Sequence, residues 1–276
     1  MFGIVLISLG TFAGELSDSL GKLEVKKRIE TIYTMGFLSV FWATILLAVS
    51  LLFGAPFVFK LASLQTFAPR VAFELLGANL TIRAIVKANR STFSFMRILT
   101  IPLLLLVDLR LGYLISATQI IGIGLMLVAL YILLKEGRRS RRGALLALLT
   151  AINAVVTISL YKYDISHYNS VAAEQLIVTG IIMLYFIISA LRLGQKPWRY
   201  LLRPVPGLQS FSSGAGGVLE GFAYKYAPAS IILTLKRALG VLWSVIFGNF
   251  YFNEKRLSEK LFSLGLITAG LYFIIK

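Results

Sequence analysis

The sequence predicts an all-α, polytopic membrane protein with ten transmembrane helices arranged as two inverted five-helix repeats. Three observations predict this architecture: an excess of apolar residues, ten apolar runs of helix length, and a similarity between the two halves. Apolar residues make up 58% of the 276 positions, whereas soluble domains average about 45–50%. A water-soluble protein of this size could not bury so much hydrocarbon, so we expect the chain to lie in a lipid bilayer.

The ten apolar runs are each long enough to cross a bilayer, which takes about 20 residues of helix. The first run has no basic segment before it and no cleavage pattern after it, so we interpret it as a first helix rather than a signal peptide. Short connections leave no room for a soluble domain. The runs cover residues 2–22, 32–55, 71–88, 91–112, 117–135, 143–163, 169–193, 205–227, 229–252 and 257–275.

The second half of the chain repeats glycines and charges of the first half at a nearly constant offset. Because five helices is an odd number, the second copy enters the bilayer from the opposite face, and inverted repeats of this kind are typical of secondary transporters. We therefore predict repeats over residues 1–137 and 138–276. The matched pairs include Gly77/Gly217, Arg97/Arg237, Gly124/Gly265, Tyr131/Tyr272 and Lys135/Lys276.

The net charge of +16 and the lack of cysteine narrow the possible functions. Without cysteine, disulfides, thiolate metal sites and cysteine nucleophiles are excluded. Lys and Arg concentrate in the loops that follow predicted helices one, three, five, seven and nine, especially in "KKR" (26–28) and "KEGRRSRR" (135–142). Because basic loops stay on the cytoplasmic side, both termini are predicted to lie outside. We expect a prokaryotic plasma-membrane protein, monomeric or homodimeric, whose partners are lipid, a small molecule and protons. Neither a nucleic-acid partner nor a cofactor nor a metal is expected.

Several charged residues remain inside the predicted helices. Each costs about 2.5–3.5 kcal/mol at mid-bilayer, and such residues commonly mark substrate and ion pathways. Glu174 and Lys162 lie near helix ends, from which they could reach the interface. The cations within helices are Arg83, Arg97, Lys236 and Arg237, and the anions are Glu15, Asp18, Asp108 and Glu220.

Helix nine carries two adjacent cations on different faces. Arg237 belongs to a stripe of small and polar residues at spacings of three and four, while Lys236 points about 100° away. Such a stripe suits a cavity wall or close helix packing, so Arg237 is the better cavity candidate. The alternative is a buried ion pair with Glu220 or another acid. The stripe consists of Ser230, Thr234, Arg237, Val241, Ser244 and Gly248.

Helices one and four carry comparable polar stripes. Glu15 and Asp18 lie one turn apart, and like charges in a low dielectric favour proton binding by one of them. They could instead neutralise Arg97, Arg83 or Lys22. On helix four, Arg97 contacts substrate or pairs with an acid, and the nearby Pro102 can kink the helix. Polar stripes on helices three and eight add to these, so we expect one shared hydrated interior.

The last segment, "NEKRLSEKLFSLGLITAGLYFIIK", together with ten helices in two halves, resembles the drug/metabolite transporter superfamily and its EamA-type members. Glu254, Gly265 and Gly270 match the family's pattern at the end of helix nine and in helix ten, whereas Asn253 replaces a glycine. The first half departs from the pattern, with Tyr113 and Leu114 where an equivalent Gly-Glu falls. The resemblance implies a secondary transporter, although many members place both termini in the cytoplasm.

Two shorter likenesses concern the site. "TLKRALGVLWSVIF" is similar to helix nine of the plastid triose-phosphate translocators, which implies that Lys236 and Arg237, with Lys162 on helix six, bind an anionic group. "FAGELSDSLGK" resembles the first helix of small multidrug transporters, which implies that Glu15 carries a coupling proton.

The sequence thus predicts alternating-access transport of a small polar or anionic metabolite. A lipid flippase on the same scaffold and an integral-membrane enzyme are the alternatives. The predicted substrate-binding residues are Arg237, Lys236, Arg97, Lys162 and Arg83, and the predicted proton-coupling residues are Glu15, Asp18 and Glu220.

Overall fold

A computed structural model describes residues 2–110, 116–136, 141–223, 229–255 and 257–275. Within these ranges all regular structure is helical and no strand occurs, which confirms the all-α prediction. Short 3₁₀ turns cover Leu61–Ser63 and Pro197–Leu202. The α-helices are α1 (Phe2–Lys26), α2 (Ile32–Leu52), α3 (Leu64–Lys87), α4 (Arg90–Ile98), α5 (Thr100–Arg110), α6 (Ala117–Glu136), α7 (Arg141–His167), α8 (Val171–Arg192), α9 (Pro204–Ala223), α10 (Ala229–Phe252) and α11 (Leu257–Ile275).

Four helices in the described ranges are long and apolar enough to cross a membrane, by length and composition. They are Phe2–Lys26, Ile32–Leu52, Arg142–His167 and Val171–Arg192, and Ala117–Ile132 is a shorter apolar helix. These helices indicate a membrane protein. The total of ten spans stays a prediction.

The fourth predicted helix is interrupted at Leu99, between α4 and α5. Pro102 causes this break, because it has no N–H to donate to the carbonyl of Ile98 one turn earlier. The backbone tightens instead: the N–H of Leu99 donates to the carbonyl of Met96 at 3.2 Å. The hydroxyl of Thr100 donates to the carbonyl of Arg97 at 2.7 Å. The break therefore lies directly beside a predicted site residue.

The helices pack in a few extensive pairs. α1 lies against α9 and α10, α3 against α7, α2 against α8 and α9, and α6 against α11, while α4 lies between α10 and α7. The largest apolar core joins α2, α3, α4 and α8 around Phe37, Ile85, Phe93 and Phe186. A second core joins α4, α6, α10 and α11. The polar faces that remain surround the space between α1, α3, α4, α7 and α10.

Two helix crossings depend on glycine. At the crossing of α1 and α9, a Cβ added to Gly216 would lie 2.9 Å from the carbonyl oxygen of Gly10. At the crossing of α3 and α7, a Cβ added to Gly77 would lie 2.3 Å from the amide of Asn153. Gly216 thus lets the backbones of α1 and α9 approach, and Gly77 leaves room for the Asn153 amide, which donates to the carbonyl of Phe73 on α3 at 3.0 Å.

The connecting segments form hydrogen bonds with one another in two groups, one at each end of the helix bundle. The basic end comprises residues 27–31, 88–89, 193–203 and 253–255, and there the hydroxyls of Thr31 and Thr34 both donate to Gln195 at 2.7 Å. The opposite end comprises residues 53–63 and 168–170, and there the N–H of Lys60 donates to the side chain of Asn169 at 2.9 Å. Both ends are therefore held by bonds between segments distant in sequence.

Candidate functional site

Two neighbouring cavities lie among the polar faces of the bundle. The larger, of about 480 Å³, is lined by α2, α3, α4, α7, α8 and α10. The smaller, of about 210 Å³, is lined by α1, α4, α9 and α10. Arg97, Lys236 and Arg237 line both cavities, so three of the predicted substrate-binding residues stand where the cavities meet.

Polar and apolar side chains share the wall of the larger cavity away from the three cations. Its volume falls within the range of about 300–1,000 Å³ that small-molecule sites occupy. Hydroxyl and amide groups suit recognition of a polar ligand, and one carboxylate and one guanidinium face each other at the far side. These lining residues are Thr81, Asn153, Thr157, Tyr161, Gln175, Glu74 and Arg70.

The smaller cavity contains all three predicted proton-coupling residues, Glu15, Asp18 and Glu220. Its wall also includes Gly216 and Gly217, which leave room beside α9. Acids and cations from four helices thus line one small volume inside the bundle, rather than facing outward.

Lys236 pairs with Glu220 across this cavity, at 2.6 Å between its ammonium nitrogen and the carboxylate. Both side chains keep some exposure, 30% for Lys236 and 19% for Glu220. The sequence offers an ion pair with Glu220 as the alternative role for the cations of predicted helix nine, which is α10. Lys236 forms that ion pair. Arg237, its neighbour, is buried and lines both cavities.

Arg97 is half-buried and its guanidinium lies over the ring of Phe93, 5.5 Å from the ring centre. No ion pair joins it to a carboxylate within the ranges that the structure describes. The carboxylate of Glu15 is near enough to interact with it electrostatically. Arg97 is thus the cation best placed to receive an anionic ligand.

Glu15 and Asp18 share one cation, Arg90, whose side chain is fully buried. Arg90 donates a short hydrogen bond to Glu15, and its Nη2 lies 3.5 Å from the carboxylate of Asp18. Ser94 donates to Glu15 at 3.3 Å. This cluster joins α1 to the start of α4.

The sequence had offered Arg97, Arg83 or Lys22 as partners for these acids, and the pairing with Arg90 was missed. Arg90 precedes the apolar run of helix four, although it begins the polar stripe that continues through Ser94 and Arg97. Its position one turn before Ser94 and two before Arg97 was the available signal. Lys22 instead turns inward to donate to the carbonyl of Ala88.

Of the other two predicted substrate-binding residues, one lies away from the cavities and the side chain of the other is not described. Arg83 is exposed on α3 and does not line either cavity. Lys162 belongs to α7, but its side chain lies outside the described part of the structure, as does that of Asp108. Tyr113 and Leu114 also lie outside the described residues.

A buried network at the far side of the larger cavity was not predicted. Arg70 donates a short hydrogen bond to Glu174, lies 3.7 Å from Glu74, and stacks over Tyr161 at 4.5 Å. Asn169 donates to Glu174 at 2.5 Å. The sequence placed Arg70 in a loop and Glu174 at the interface. Because each neutralises the other, neither needs to reach water, and α3 begins before Arg70 rather than after it.

Glu254 closes the basic end onto α4. Its carboxylate accepts from the N–H of Arg90 at 2.5 Å, from the hydroxyl of Ser91 at 2.5 Å and from Lys260 at 2.9 Å. Burial alone would raise the pKa of Glu254, but these donors outweigh it and lower the pKa below its ordinary value. The carboxylate also caps a helix N-terminus, where negative charge is favoured. Glu254, one of the residues on which the family resemblance depends, therefore has a structural role.

Within the described ranges, no group of three or more His, Cys, Asp or Glu side chains is placed to hold a metal ion. No protein-family model matches the chain, and no curated protein matches it either. Membership of the drug/metabolite transporter superfamily therefore stays a prediction from the quoted motifs.

Proposed function

We propose that this protein is a secondary transporter that moves a small polar or anionic metabolite by alternating access, coupled to protons. The observation that carries the proposal is the meeting of two interior cavities at Arg97, Lys236 and Arg237, with Glu15 and Glu220 in the smaller one. Ionisable residues are expensive within a membrane and mark ion and substrate pathways when they face a cavity.

The helix packing supports ten spans in two inverted repeats. If α1 to α6 form the first repeat, with α4 and α5 as one broken span, then α7 to α11 form the second. In this division α1 and α7 are the first helices of the two repeats, and α3 and α9 are the third. The contacts of α1 with α9 and of α3 with α7 are then equivalent, because each joins the first helix of one repeat to the third helix of the other. Gly216 and Gly77 permit the close approach in each. The contacts of α2 with α8 and of α6 with α11 each join two helices that occupy the same position in the two repeats.

The loop contacts support the proposed alternation of spans. Segments of the basic end bond to one another, and segments of the opposite end bond to one another, as expected if successive helices cross in opposite directions. Basic segments are retained on the cytoplasmic side. On this proposal the basic end is cytoplasmic and both termini are outside.

The cations supply the substrate site. A carboxylate or phosphate in the larger cavity can pair with Arg97 without displacing a carboxylate, because no ion pair occupies Arg97 within the described ranges. Lys236 is held by Glu220, and an incoming anion competes with that carboxylate for the ammonium group. Charge-assisted hydrogen bonds of this kind contribute about 1.5–3 kcal/mol each. Substrate binding therefore separates Lys236 from Glu220 and changes the contact between α9 and α10.

The acids supply the coupling site. Arg90 ties α4 to Glu15 and Asp18 on α1, close to the basic end. A proton on Glu15 removes the charge that holds Arg90, and weakens one of the links that close this end. The other links, from Lys22 to Ala88 and from Glu254 to α4, do not involve the cavity. Proton binding and opening of the basic end are thereby connected.

The test uses purified protein in liposomes with an imposed pH gradient. A thermal-shift screen of amino acids, sugar phosphates and cationic drugs selects the substrate, since a ligand that binds the folded state raises its stability. We expect gradient-driven uptake to disappear in Glu15→Gln and to persist in the control Glu259→Gln, which neutralises a partly exposed carboxylate on α11.

Two results would overturn the proposal. Gradient-driven uptake that is unchanged in Glu15→Gln removes the coupling role. If every anionic candidate still binds to the Arg97→Ala variant and to the Arg237→Ala variant, these two residues do not bind the substrate.

A further inference from the structure

The short segment between α1 and α2, at the basic end, buries a carboxylate without a hydrogen-bond partner. Glu30 is 3% exposed, and neither of its carboxylate oxygens has a partner in the part of the chain that the structure describes. The turn that places it there is specific: Arg28 adopts a positive φ of 60°, and the N–H groups of Ile29 and Glu30 both donate to the carbonyl of Glu24. The backbone therefore directs this side chain inward.

A second unsatisfied side chain faces Glu30 from α9. Gln209 is completely buried, and within the described ranges neither its amide oxygen nor its amide nitrogen makes a hydrogen bond. The amide is close enough to the carboxylate of Glu30 to influence it, although neither group completes a hydrogen bond within the described ranges. It is also held against α1, because a Cβ added to Gly21 would lie 2.8 Å from its nitrogen. Buried polar groups of this kind are normally satisfied by a partner.

Two acidic side chains, Glu24 and Glu30, are buried together at this point, and Lys27 and Arg203 are the cations near them. Glu24, on α1, is buried beside Glu30 and is approached from the solvent side by Lys27 at 3.7 Å. Burial, and then the charge of Glu24, raise the pKa of Glu30 to about 8, whereas Gln209 and Arg203 lower it. The oxygens of Glu30 and Gln209 thus face a region that attracts a cation.

We propose that Glu24, Glu30 and Gln209 form a site for one exchangeable monovalent cation, Na⁺ or a proton, at the junction of α1, α2 and α9. Calcium takes about 6–8 oxygen ligands, more than these side chains offer, so calcium does not fit. The site is separate from both cavities and does not depend on the transport proposal. Its occupant satisfies Glu30 and Gln209 together and fixes α9 against the end of α1.

The test measures thermal unfolding of the full chain in detergent from pH 5 to pH 9. NaCl is compared with N-methylglucamine chloride at equal ionic strength. Without Na⁺, the folded state binds a proton at Glu30 that the unfolded state has released, so stability falls from about pH 5 to pH 8 and then levels off. At pH 9 we expect Na⁺ to raise the unfolding temperature saturably, by about 2–4 °C.

Glu30→Gln should abolish both responses, and the control Glu259→Gln should retain them. A pH response without a Na⁺ response assigns the site to a proton, and both responses together assign it to Na⁺ in competition with protons. The proposal is overturned if Glu30→Gln and the unmodified chain respond alike. Should Glu30→Gln not fold, Gln209→Met removes the amide oxygen instead, and an unmodified chain insensitive to both Na⁺ and pH overturns the proposal without any variant.

Discussion

Two ion pairs between helices show how differently this protein treats its interior charges. Arg70 and Glu174 are 1% and 0% exposed and lie at the far side of the larger cavity, where Tyr161 and Asn169 also contact them. Lys236 and Glu220 are 30% and 19% exposed; Lys236 lines both cavities, and Glu220 lines the smaller one. The first pair is enclosed by its partners, and the second faces a volume that a ligand can enter.

The difference separates structural charges from exchangeable ones. An enclosed pair cannot lose one partner without leaving a buried charge, so it holds α3 and α8 together whatever occupies the cavity. A pair that faces the cavity can exchange its partner for a ligand, because the ligand replaces the lost interaction. Arg90, shared by Glu15 and Asp18, is intermediate: the cation is enclosed, and the carboxylates line the smaller cavity.

The largest effect is expected for the enclosed pair. Glu174→Gln leaves Arg70 buried with only the looser contact to Glu74, so denaturant unfolding in detergent should show a loss of about 3–5 kcal/mol. The double variant Arg70→Met/Glu174→Leu replaces the pair with apolar side chains and should recover most of that loss. A loss below about 1 kcal/mol in Glu174→Gln would contradict the enclosed character of the pair.

A smaller loss is expected at Glu254, which is enclosed but lies in a connecting segment. Glu254→Gln weakens the acceptor for the N–H of Arg90, for Ser91 and for Lys260, and should cost about 1–3 kcal/mol at pH 7. The pKa of Glu254 is lowered in the folded state, so its contribution is complete above the unfolded value and is lost as pH falls through the folded one.

Unfolding measured between pH 3 and pH 7 checks this. The difference in stability between the unmodified chain and Glu254→Gln should shrink toward acid pH. A difference that stays constant over this range would show that the carboxylate charge contributes nothing. Glu259→Gln, on the same side of the bundle, serves as the control.

Much of the helical framework follows from the sequence, because a run of about 20 apolar residues has few alternatives to a helix. The candidate site follows in part. Arg237 and Arg97 lie on polar stripes, and helical periodicity alone directs such stripes toward the same interior. Periodicity cannot choose partners, however: it suggests Arg97 as one cation near Glu15 but does not identify Arg90, the residue that bonds to it.

The missed charges lie near helix ends. Arg70 and Arg90 flank apolar runs, where an error of a few residues in a boundary moves a cation from the interface into the core. α3 begins at Leu64 rather than at residue 71, and Arg70 is buried as a result. Glu30 and Gln209 are far apart in the chain and share no spacing, so only the packing of α9 against α1 brings them together.

The exchangeable pair, Lys236 and Glu220, should contribute little to stability and more to ligand binding, unlike the enclosed pair of Arg70 and Glu174. Lys236→Met leaves Glu220 partly exposed to the cavity, so the loss of stability should stay below about 1 kcal/mol. Affinity for an anionic substrate should fall at least about tenfold, because one charge-assisted hydrogen bond is lost. Titration calorimetry with the ligand found in the thermal-shift screen measures the affinity.

The matched control for this variant is Lys255→Met, which removes an exposed lysine at the basic end. It should change neither quantity. If Lys236→Met destabilised the protein as much as Glu174→Gln, the two pairs would be of one kind, and the distinction between enclosed and exchangeable charges would fail.

The smallest effect is expected for the pair between Lys27 and Glu24, in which Lys27 is 54% exposed and the groups lie 3.7 Å apart. Solvent and salt screen such a pair, so Lys27→Ala should cost less than about 0.5 kcal/mol in denaturant unfolding. The same substitution removes a positive charge beside Glu24 and should therefore strengthen the response of the unfolding temperature to Na⁺ at pH 9. A large loss of stability would show that exposure does not rank these pairs. A weaker Na⁺ response would show that the cation is not held near Glu24.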